Sequence, residues 1–92
     1  MKHVMVDIET LGSKPGSVIL SIGAVQFYND GAGYKEFYRR IDLASSILMG
    51  FTIDPNTVKW WTEQNADARH AAFFATGEEF IRPALDDFAK FV

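Results

Sequence analysis

The sequence predicts an α/β domain in which a three-stranded antiparallel meander comes first and helices follow. The first forty residues hold three runs of β-type residues, separated by short segments rich in Gly, Pro, Asn and Asp. Beyond residue 42 the apolar residues recur at helical spacing instead. A content of 48% hydrophobic and 14% aromatic residues is typical of a folded globular chain. Sequential strands with short connections pair antiparallel, so the expected sheet is a meander.

The three strands are predicted from their residue types and from the turns between them. Residues 2–9 form the first strand, and residues 17–28, rich in β-branched side chains, form the second. Residues 13–16 connect these two strands, with Pro followed by Gly as the turn residues. Residues 29–33 connect to the third strand, residues 34–41, because Asn, Asp and Gly tolerate positive φ.

Helices are predicted from capping residues and from apolar periodicity. Asp42 is a candidate N-cap for a short helical segment over residues 43–49. Asp54 caps a clearer helix over residues 55–65, which has Pro at its first position, where the missing N–H costs nothing. A further short helix is expected over residues 67–73.

The last segment has a helical pattern that a proline interrupts. Apolar residues recur at helical spacing through residues 80–92, and Thr76 with Glu79 fits a capping box. Pro83 removes the hydrogen bond that its position would make to the Glu79 carbonyl. The helix is therefore expected either to kink at this residue or to begin near Arg82.

The first predicted strand contains two acidic residues, Asp7 and Glu9, which are separated by one residue. Residues two apart in a strand share a face and lie roughly 7 Å apart. Burying bare carboxylates is costly, and the usual compensation is a basic side chain or a divalent cation. Oxygen ligands favour Mg²⁺ or Mn²⁺, and a pair of such ions about 4 Å apart can cleave a phosphodiester in line. The spacing alone also fits a solvated pair, so the context of the pair is what distinguishes the two interpretations.

That context resembles a known enzyme family. The runs VDIETLG at residues 6–12 and VILSIGAV at residues 18–25 resemble the first motif of the DEDD-type 3′–5′ exonucleases, which share a ribonuclease H-like fold. The runs FTID at residues 51–54 and TVKWW at residues 57–61 are similar to the bacterial and phage branch that includes the nuclease domain of exodeoxyribonuclease eight and related small exoribonucleases. The resemblance implies the N-terminal portion of that fold and hydrolysis of DNA or RNA from a single-stranded 3′ end.

The resemblance also implies roles for particular residues. Asp7 and Glu9 would be the catalytic metal ligands, with Glu9 holding the ion that activates water and Asp7 bridging two Mg²⁺ or Mn²⁺ ions. Thr10 and Leu11 would meet the terminal nucleotide, Leu11 as a wedge against the last base, although Leu11 fits a core residue after the strand equally well. Gly12 would serve the turn or allow close approach of the substrate.

Trp60 and Trp61 are adjacent, so on a helix they point about 100° apart. One can join the core while the other lies at a cleft, where stacking on a base contributes roughly 1–3 kcal/mol. Trp61 is assigned to substrate binding, and core packing of both rings is the competing interpretation. Lys59 and Gln64 are expected to be solvated.

The family uses four acids, and the sequence supplies two of them in recognisable positions. Residues 1–92 are therefore expected to be a single, incomplete exonuclease domain that lacks the second and third acidic motifs and is weakly active or inactive alone. Asp86 and Asp87 fall on the polar side of the last helix and are expected to be solvated. His70 and His3 are expected to have surface or packing roles.

Two alternatives to the exonuclease stay open at this stage. The first is a non-catalytic module that associates with a second copy of itself through the exposed edge of the first strand, giving a homo-oligomer. The second is another ribonuclease H-like enzyme, such as a transposase or integrase core, whose first motif usually offers one acid instead of two.

Composition narrows the class of protein. A net charge of −3 argues against a protein that coats nucleic acid non-specifically through phosphate contacts. The absence of cysteine from the sequence excludes disulfides and thiolate metal sites. The sequence has no run of about twenty apolar residues for a membrane span, and its first residues lack the pattern of a signal peptide. A cytoplasmic location is the resulting expectation.

Overall fold

The computed structural model describes residues 1–31, 33–73 and 78–92, and these residues form a mixed α/β structure. Within those residues a single sheet has the strand order β1-β2-β3-β4. Its strands are β1 (Lys2–Thr10), β2 (Ile19–Tyr28), β3 (Tyr34–Ile41) and β4 (Glu78–Glu79). The helices are α1 (Leu43–Leu48), α2 (Pro55–Thr62), α3 (Ala66–Phe73) and α4 (Ile81–Phe91).

The predicted meander is confirmed, since β1 pairs antiparallel with β2 and β2 pairs antiparallel with β3. β2 begins two residues later than predicted. Ser17 instead forms an isolated parallel bridge with Thr52, and the Val18 N–H donates to the Thr52 carbonyl at 2.8 Å. The residues before β2 thus attach the β1–β2 connection to the segment that leads into α2.

The register of the meander determines which side chains share a face. A bulge between Glu9 and Thr10 shifts the β1–β2 register at the end of β1. Before the bulge, two rows of residues cross three strands on one face of the sheet. These rows are Asp7–Gly23–Tyr38 and Glu9–Ser21–Arg40.

Two apolar clusters form the core of the described residues. The α4 cluster packs one face of β2 and β3 against α4, and it contains Ile22, Ala24, Phe37, Ile41, Ile81 and Ala84. The α2 cluster lies beneath α2, and it contains Leu11, Val18, Leu20 and Trp61. Burying each large aliphatic side chain contributes about 1.5–3 kcal/mol, so these clusters hold the helices on the sheet.

The predicted caps of the first two helices are confirmed. The Asp42 carboxylate accepts from the Ser45 N–H at 2.9 Å, and the Asp54 carboxylate accepts from the Asn56 N–H at 2.9 Å. Pro55 occupies the first position of α2, as expected. α2 ends at Thr62, three residues before the expected end of that helix.

α4 accommodates Pro83 without a kink because the helix begins at Ile81, which places the proline in the first turn. Pro83 has no N–H to donate to the Glu79 carbonyl. That carbonyl accepts instead from the Asp42 N–H at 2.7 Å. The predicted capping box is wrong, since Glu79 belongs to β4 and the N-cap of α4 is Phe80. Thr76 lies outside the described residues.

β4 was not predicted, and it changes the environment of the charged end of β3. β4 runs parallel to β3 and pairs with Arg40 and Ile41 at the end of that strand. Arg40 is buried and forms an ion pair with Glu78 at 3.2 Å. Arg39 pairs with Glu79 at 3.2 Å and with Asp87 at 3.8 Å, so Asp87 is not merely solvated.

Three other titratable side chains considered in the sequence are Asp86, His70 and His3. Asp86 and His70 are exposed. His3, near the start of β1, stacks on Phe27 with ring centroids 5.3 Å apart and hydrogen bonds with Asn29. These positions support the surface and packing interpretations.

The helices in the described ranges are short. α4 has 11 residues, whereas a membrane span needs about 20. None of the helices described is both long enough and apolar enough to cross a membrane.

Candidate active site

Asp7 and Glu9 lie side by side on one face of β1, as the strand alternation predicts. The pairing of β1 with β2 is regular through Glu9, and the bulge follows directly after it. Asp7 is exposed and Glu9 is half-buried. With their Cα atoms roughly 7 Å apart, two carboxylates on one face can approach a common cation from the same side.

The acid pair opens into a cleft between the sheet and the helices. This cleft has a volume of about 380 Å³. Its lining comes from the sheet on one side (Asp7, Glu9, Ser21, Gly23 and Tyr38) and from the α2–α3 region on the other (Trp60, Trp61, Gln64 and Ala68). The volume falls within the range of about 300–1,000 Å³ that is usual for small-ligand sites.

The electrostatics of the pair favour a positive partner. Burial raises the pKa of the Glu9 carboxyl, and the negative charge of Asp7 raises this pKa further. Both effects disfavour the charged form of Glu9, and a bound cation would reverse them. In the described residues no group of three or more His, Cys, Asp or Glu side chains converges on a point, so this cleft offers two carboxylates to a cation.

Trp61 joins α2 to the end of β1. It is 6% exposed within the α2 cluster, and its Nε1–H donates to the Thr10 carbonyl at 3.0 Å. Thr10 directly follows Glu9, so this hydrogen bond fixes the distance between α2 and the acid pair.

Trp60 has the opposite environment. It is 52% exposed and lines the cleft, and its ring meets Trp61 edge to face at a centroid distance of 4.9 Å. The prediction that one Trp joins the core while the other lies at a cleft is confirmed. Trp61 also lines the cleft, so its assignment to substrate binding stays a prediction, while the more exposed of the two rings is that of Trp60.

A family model described as the 3′–5′ exoribonuclease Rv2179c-like domain matches residues 2–92. The chain belongs to the Rv2179c-like family. No curated protein and no solved structure matches the chain. Membership confirms the expected 3′–5′ exonuclease family and favours it over the transposase or integrase alternative. The mixed α/β architecture of the four strands and helices described above is compatible with a nuclease of this kind.

Three residues that follow the acid pair lie outside the cleft lining of this Rv2179c-like domain. Leu11 is 1% exposed in the α2 cluster, and its N–H donates to the Val18 carbonyl at 2.9 Å. The Thr10 hydroxyl donates to the Gly12 carbonyl at 2.7 Å, and a Cβ on Gly12 would lie 2.9 Å from the Ser17 Cβ. The structure thus supports the core interpretation of Leu11, since a wedge would have to leave the cluster. Nucleotide contacts of Thr10 and Gly12 stay predictions.

Tyr38, which no sequence motif marks, lies in the row of Asp7 because of the strand register. Gly23 lies between them, and a Cβ at Gly23 would be 3.7 Å from the Asp7 carbonyl oxygen and 3.8 Å from Tyr38 Cδ2. The glycine thus leaves the floor of the cleft open between a carboxylate and a phenol ring. The register that follows from the hairpin at residues 29–33 is the signal that could have identified Tyr38.

Proposed function

We propose that this Rv2179c-like domain is part of a metal-dependent 3′–5′ exonuclease of the DEDD type, with a ribonuclease H-like fold related to the exodeoxyribonuclease eight branch. Its substrate is the single-stranded 3′ end of a nucleic acid, and the family description favours RNA. One observation carries the proposal: Asp7 and Glu9 share a face at the floor of a cleft whose other wall is aromatic.

The residues present fit a divalent cation, since carboxylate oxygens are its preferred ligands and the raised pKa of Glu9 reports an unfavourable charge without one. Asp7 would be a ligand of both ions and Glu9 a ligand of one. Bound Mg²⁺ or Mn²⁺ would supply activation of a water and stabilisation of the leaving oxygen. The walls of the cleft would orient the terminal nucleotide over the two carboxylates.

Two carboxylates are half of the DEDD set. We propose that the remaining ligands come from acidic residues outside this cleft, on the same polypeptide or on a second one. Residues 1–92 alone should therefore hold a cation weakly and digest a single-stranded oligonucleotide slowly or not at all.

Isothermal titration with Mn²⁺ tests the proposal. The protein is expected to bind Mn²⁺ with sub-millimolar affinity, and the Asp7→Asn, Glu9→Gln double variant is expected to lose that binding. The matched control is Glu63→Gln, Asp86→Asn, which removes two exposed carboxylates elsewhere. Absence of Mn²⁺ binding by the parent protein, or equal binding by the double variant, would contradict the proposed metal site.

A second candidate function is supported by the outer edge of β1. Among the described residues β1 pairs with β2 alone, and Met5, Val6 and Ile8 are exposed along it. Unpaired strand edges with apolar side chains bind other strands. A non-catalytic module that forms a homo-oligomer through β1 is thus the alternative to the nuclease.

A further inference from the structure

The apolar face of the sheet extends beyond the area that α4 covers. Val6 of β1 lies opposite Ala24 of β2, which belongs to the α4 cluster. Ile8 lies opposite Ile22, another member of that cluster. The two β2 residues are buried, whereas Val6 and Ile8 are 48% and 46% exposed. Since residues opposite each other share a face, α4 covers this face at β2 and β3 and leaves it open at β1.

α4 borders the open area with further apolar side chains. Asp87 pairs with Arg39 of β3, so its flank of the helix faces β3. Leu85 precedes Asp87 by two residues, about 200° around the helix, and therefore lies on the flank nearer β1. The Lys2 side chain of β1 donates to the Val92 carbonyl at 3.3 Å, which places the end of α4 beside β1. Exposed apolar residues of both elements thus form one surface, the β1 strip, which consists of Val6, Ile8, Leu85 and Val92.

The strand edge beside this strip is complementary to itself. β1 has nine residues, and within the described ranges it pairs with β2 alone. A twofold axis normal to the sheet would pair two copies of β1 antiparallel and keep their α4 sides on the same side of the joined sheet. Val6 is the central residue of β1, so an axis through Val6 overlaps the whole strand. Any other register shortens the ladder.

The apolar side chains favour this central register. With the axis at Val6, Val6 lies opposite its own copy and Val4 lies opposite Ile8. All the pairs on the α4 side that these residues make are β-branched pairs, which stabilise a ladder. An axis at Met5 would instead place Ile8 opposite Lys2.

The acidic side chains exclude the registers on the other side of the centre. With the axis at Val6, Asp7 lies opposite Met5 of the second copy, and Glu9 lies opposite His3. An axis at Asp7 would place that carboxylate opposite its own copy. An axis at Ile8 would place Asp7 opposite Glu9. Like charges directly opposite each other destabilise a strand pair, so the central register has the better charge arrangement.

We propose that a second copy of this chain pairs antiparallel with β1 in the register that has Val6 on the twofold axis, and that the β1 strips of the two copies form one apolar area between the two α4 helices. The inference rests on the second candidate function, association through β1. It adds the register of the pair and the participation of α4.

Disulfide cross-linking of single-cysteine variants tests the register, because the sequence contains no cysteine. Val6→Cys places two thiols directly opposite each other, where the Cα atoms are about 4.5–5.5 Å apart and a disulfide can form. Val4→Cys places its two copies roughly 14 Å apart along the strands, which is too far. With oxidised glutathione, Val6→Cys should link to itself, and Val4→Cys should link to Ile8→Cys but not to itself.

Ile47→Cys is the matched control, because Ile47 on α1 is 46% exposed and lies outside the strip. Val6→Cys should link about tenfold faster or more, since pairing raises the effective concentration of the thiols. Leu85→Lys should lower the association in sedimentation equilibrium, whereas Asp86→Lys, at the next exposed position of α4, should not.

All these measurements are made in EDTA, so they do not depend on the proposed metal site. Val6→Cys linking no faster than Ile47→Cys, or Val4→Cys linking to itself as fast as Val6→Cys, overturns the register. If Val6→Cys fails to link while Val6→Lys still lowers the association, the inference fails and association through β1 stands. A parent protein that is monomeric at every concentration contradicts both.

Discussion

At the scale of single residues, Glu9 links the chemistry of the site to the stability of the protein. Its carboxyl pKa is raised by burial and by the charge of Asp7, so the folded protein holds this proton more tightly than the unfolded chain does. When the folded state binds more protons, the free energy of unfolding falls as pH rises. The loss occurs between the ordinary pKa of glutamate and the raised value in the folded protein.

Replacing Glu9 by Gln should therefore stabilise the protein at neutral pH. The expected increase in the free energy of unfolding is below about 1 kcal/mol, since the pair is open to solvent and its repulsion is screened. The increase should vanish at pH values below about 4, where Glu9 is protonated in both states. Urea unfolding in EDTA between pH 3.5 and pH 7.5 measures this increase in the free energy of unfolding. The salt concentration is kept below the order of 1 M, because screening of the repulsion increases with salt. An equal increase at both ends of this pH interval would contradict the explanation.

At the scale of secondary-structure elements, the joint between β1 and α2 determines the shape of the cleft. Trp61 fills the α2 cluster, and its indole N–H bonds to the Thr10 carbonyl. The N–H of Asp54, the N-cap of α2, donates to the Leu11 carbonyl at 2.7 Å. Two hydrogen bonds therefore connect this helix to the residues that directly follow the acid pair.

Trp61→Phe tests the joint because it keeps an aromatic ring and removes the N–H donor. The Thr10 carbonyl would lose its partner in a partly buried position, which costs about 1–3 kcal/mol of the free energy of unfolding. Trp60→Phe is the matched control, and a change within about 0.5 kcal/mol is expected there because the ring is half exposed. Thermal or urea unfolding measures both. A Trp61→Phe variant as stable as Trp60→Phe would show that the hydrogen bond contributes little.

At the scale of the whole molecule, the sheet is asymmetric. β4 pairs with Arg40 and Ile41 at the end of the outer edge of β3, whereas β1 pairs with β2 alone in the described ranges. β1 has nine residues, and Val6 and Ile8 are exposed along it. An edge of this length and character pairs with other strands unless charge or shape prevents it.

The proposed self-association through β1 predicts a mass that rises with protein concentration. Val6→Lys should lower the association, since a lysine on an edge strand opposes strand addition. Ile47→Lys, at an exposed apolar residue of α1, is the matched control and should not lower it. Sedimentation equilibrium over a range of concentrations measures both variants. A monomeric mass at every concentration would rule out β1 as the interface. An equal loss of association in Val6→Lys and Ile47→Lys would rule it out as well.

Local interactions made part of this fold predictable. The bounds of β3 and the caps at Asp42 and Asp54 follow from residues within a few positions of each other, and all three predictions are confirmed. The shared face of Asp7 and Glu9 follows likewise from the period of two in a strand. Where one element determines its own geometry, the sequence pattern is sufficient.

Non-local interactions account for the errors. β4 has two residues, and its strand conformation depends on pairing with β3, which lies far away in sequence. The burial of Leu11 depends on packing with Leu20 and Trp61, which come from other elements of the chain. Which of Trp60 and Trp61 is the more exposed depends on which face of α2 meets the sheet, and two adjacent tryptophans give no periodic signal to choose between them.

The arrangement of the two indoles has a spectroscopic consequence. Trp60 and Trp61 are the two tryptophans of the sequence, and their rings lie nearly perpendicular at 4.9 Å. The transition dipoles of two indoles at this separation couple. The coupling splits the indole circular-dichroism signal into a couplet, which is a pair of bands of opposite sign. One chromophore of this couplet is buried and fixed, while the other faces the cleft. A ligand that turns the Trp60 ring therefore alters the couplet, so the protein contains its own optical reporter of cleft occupancy.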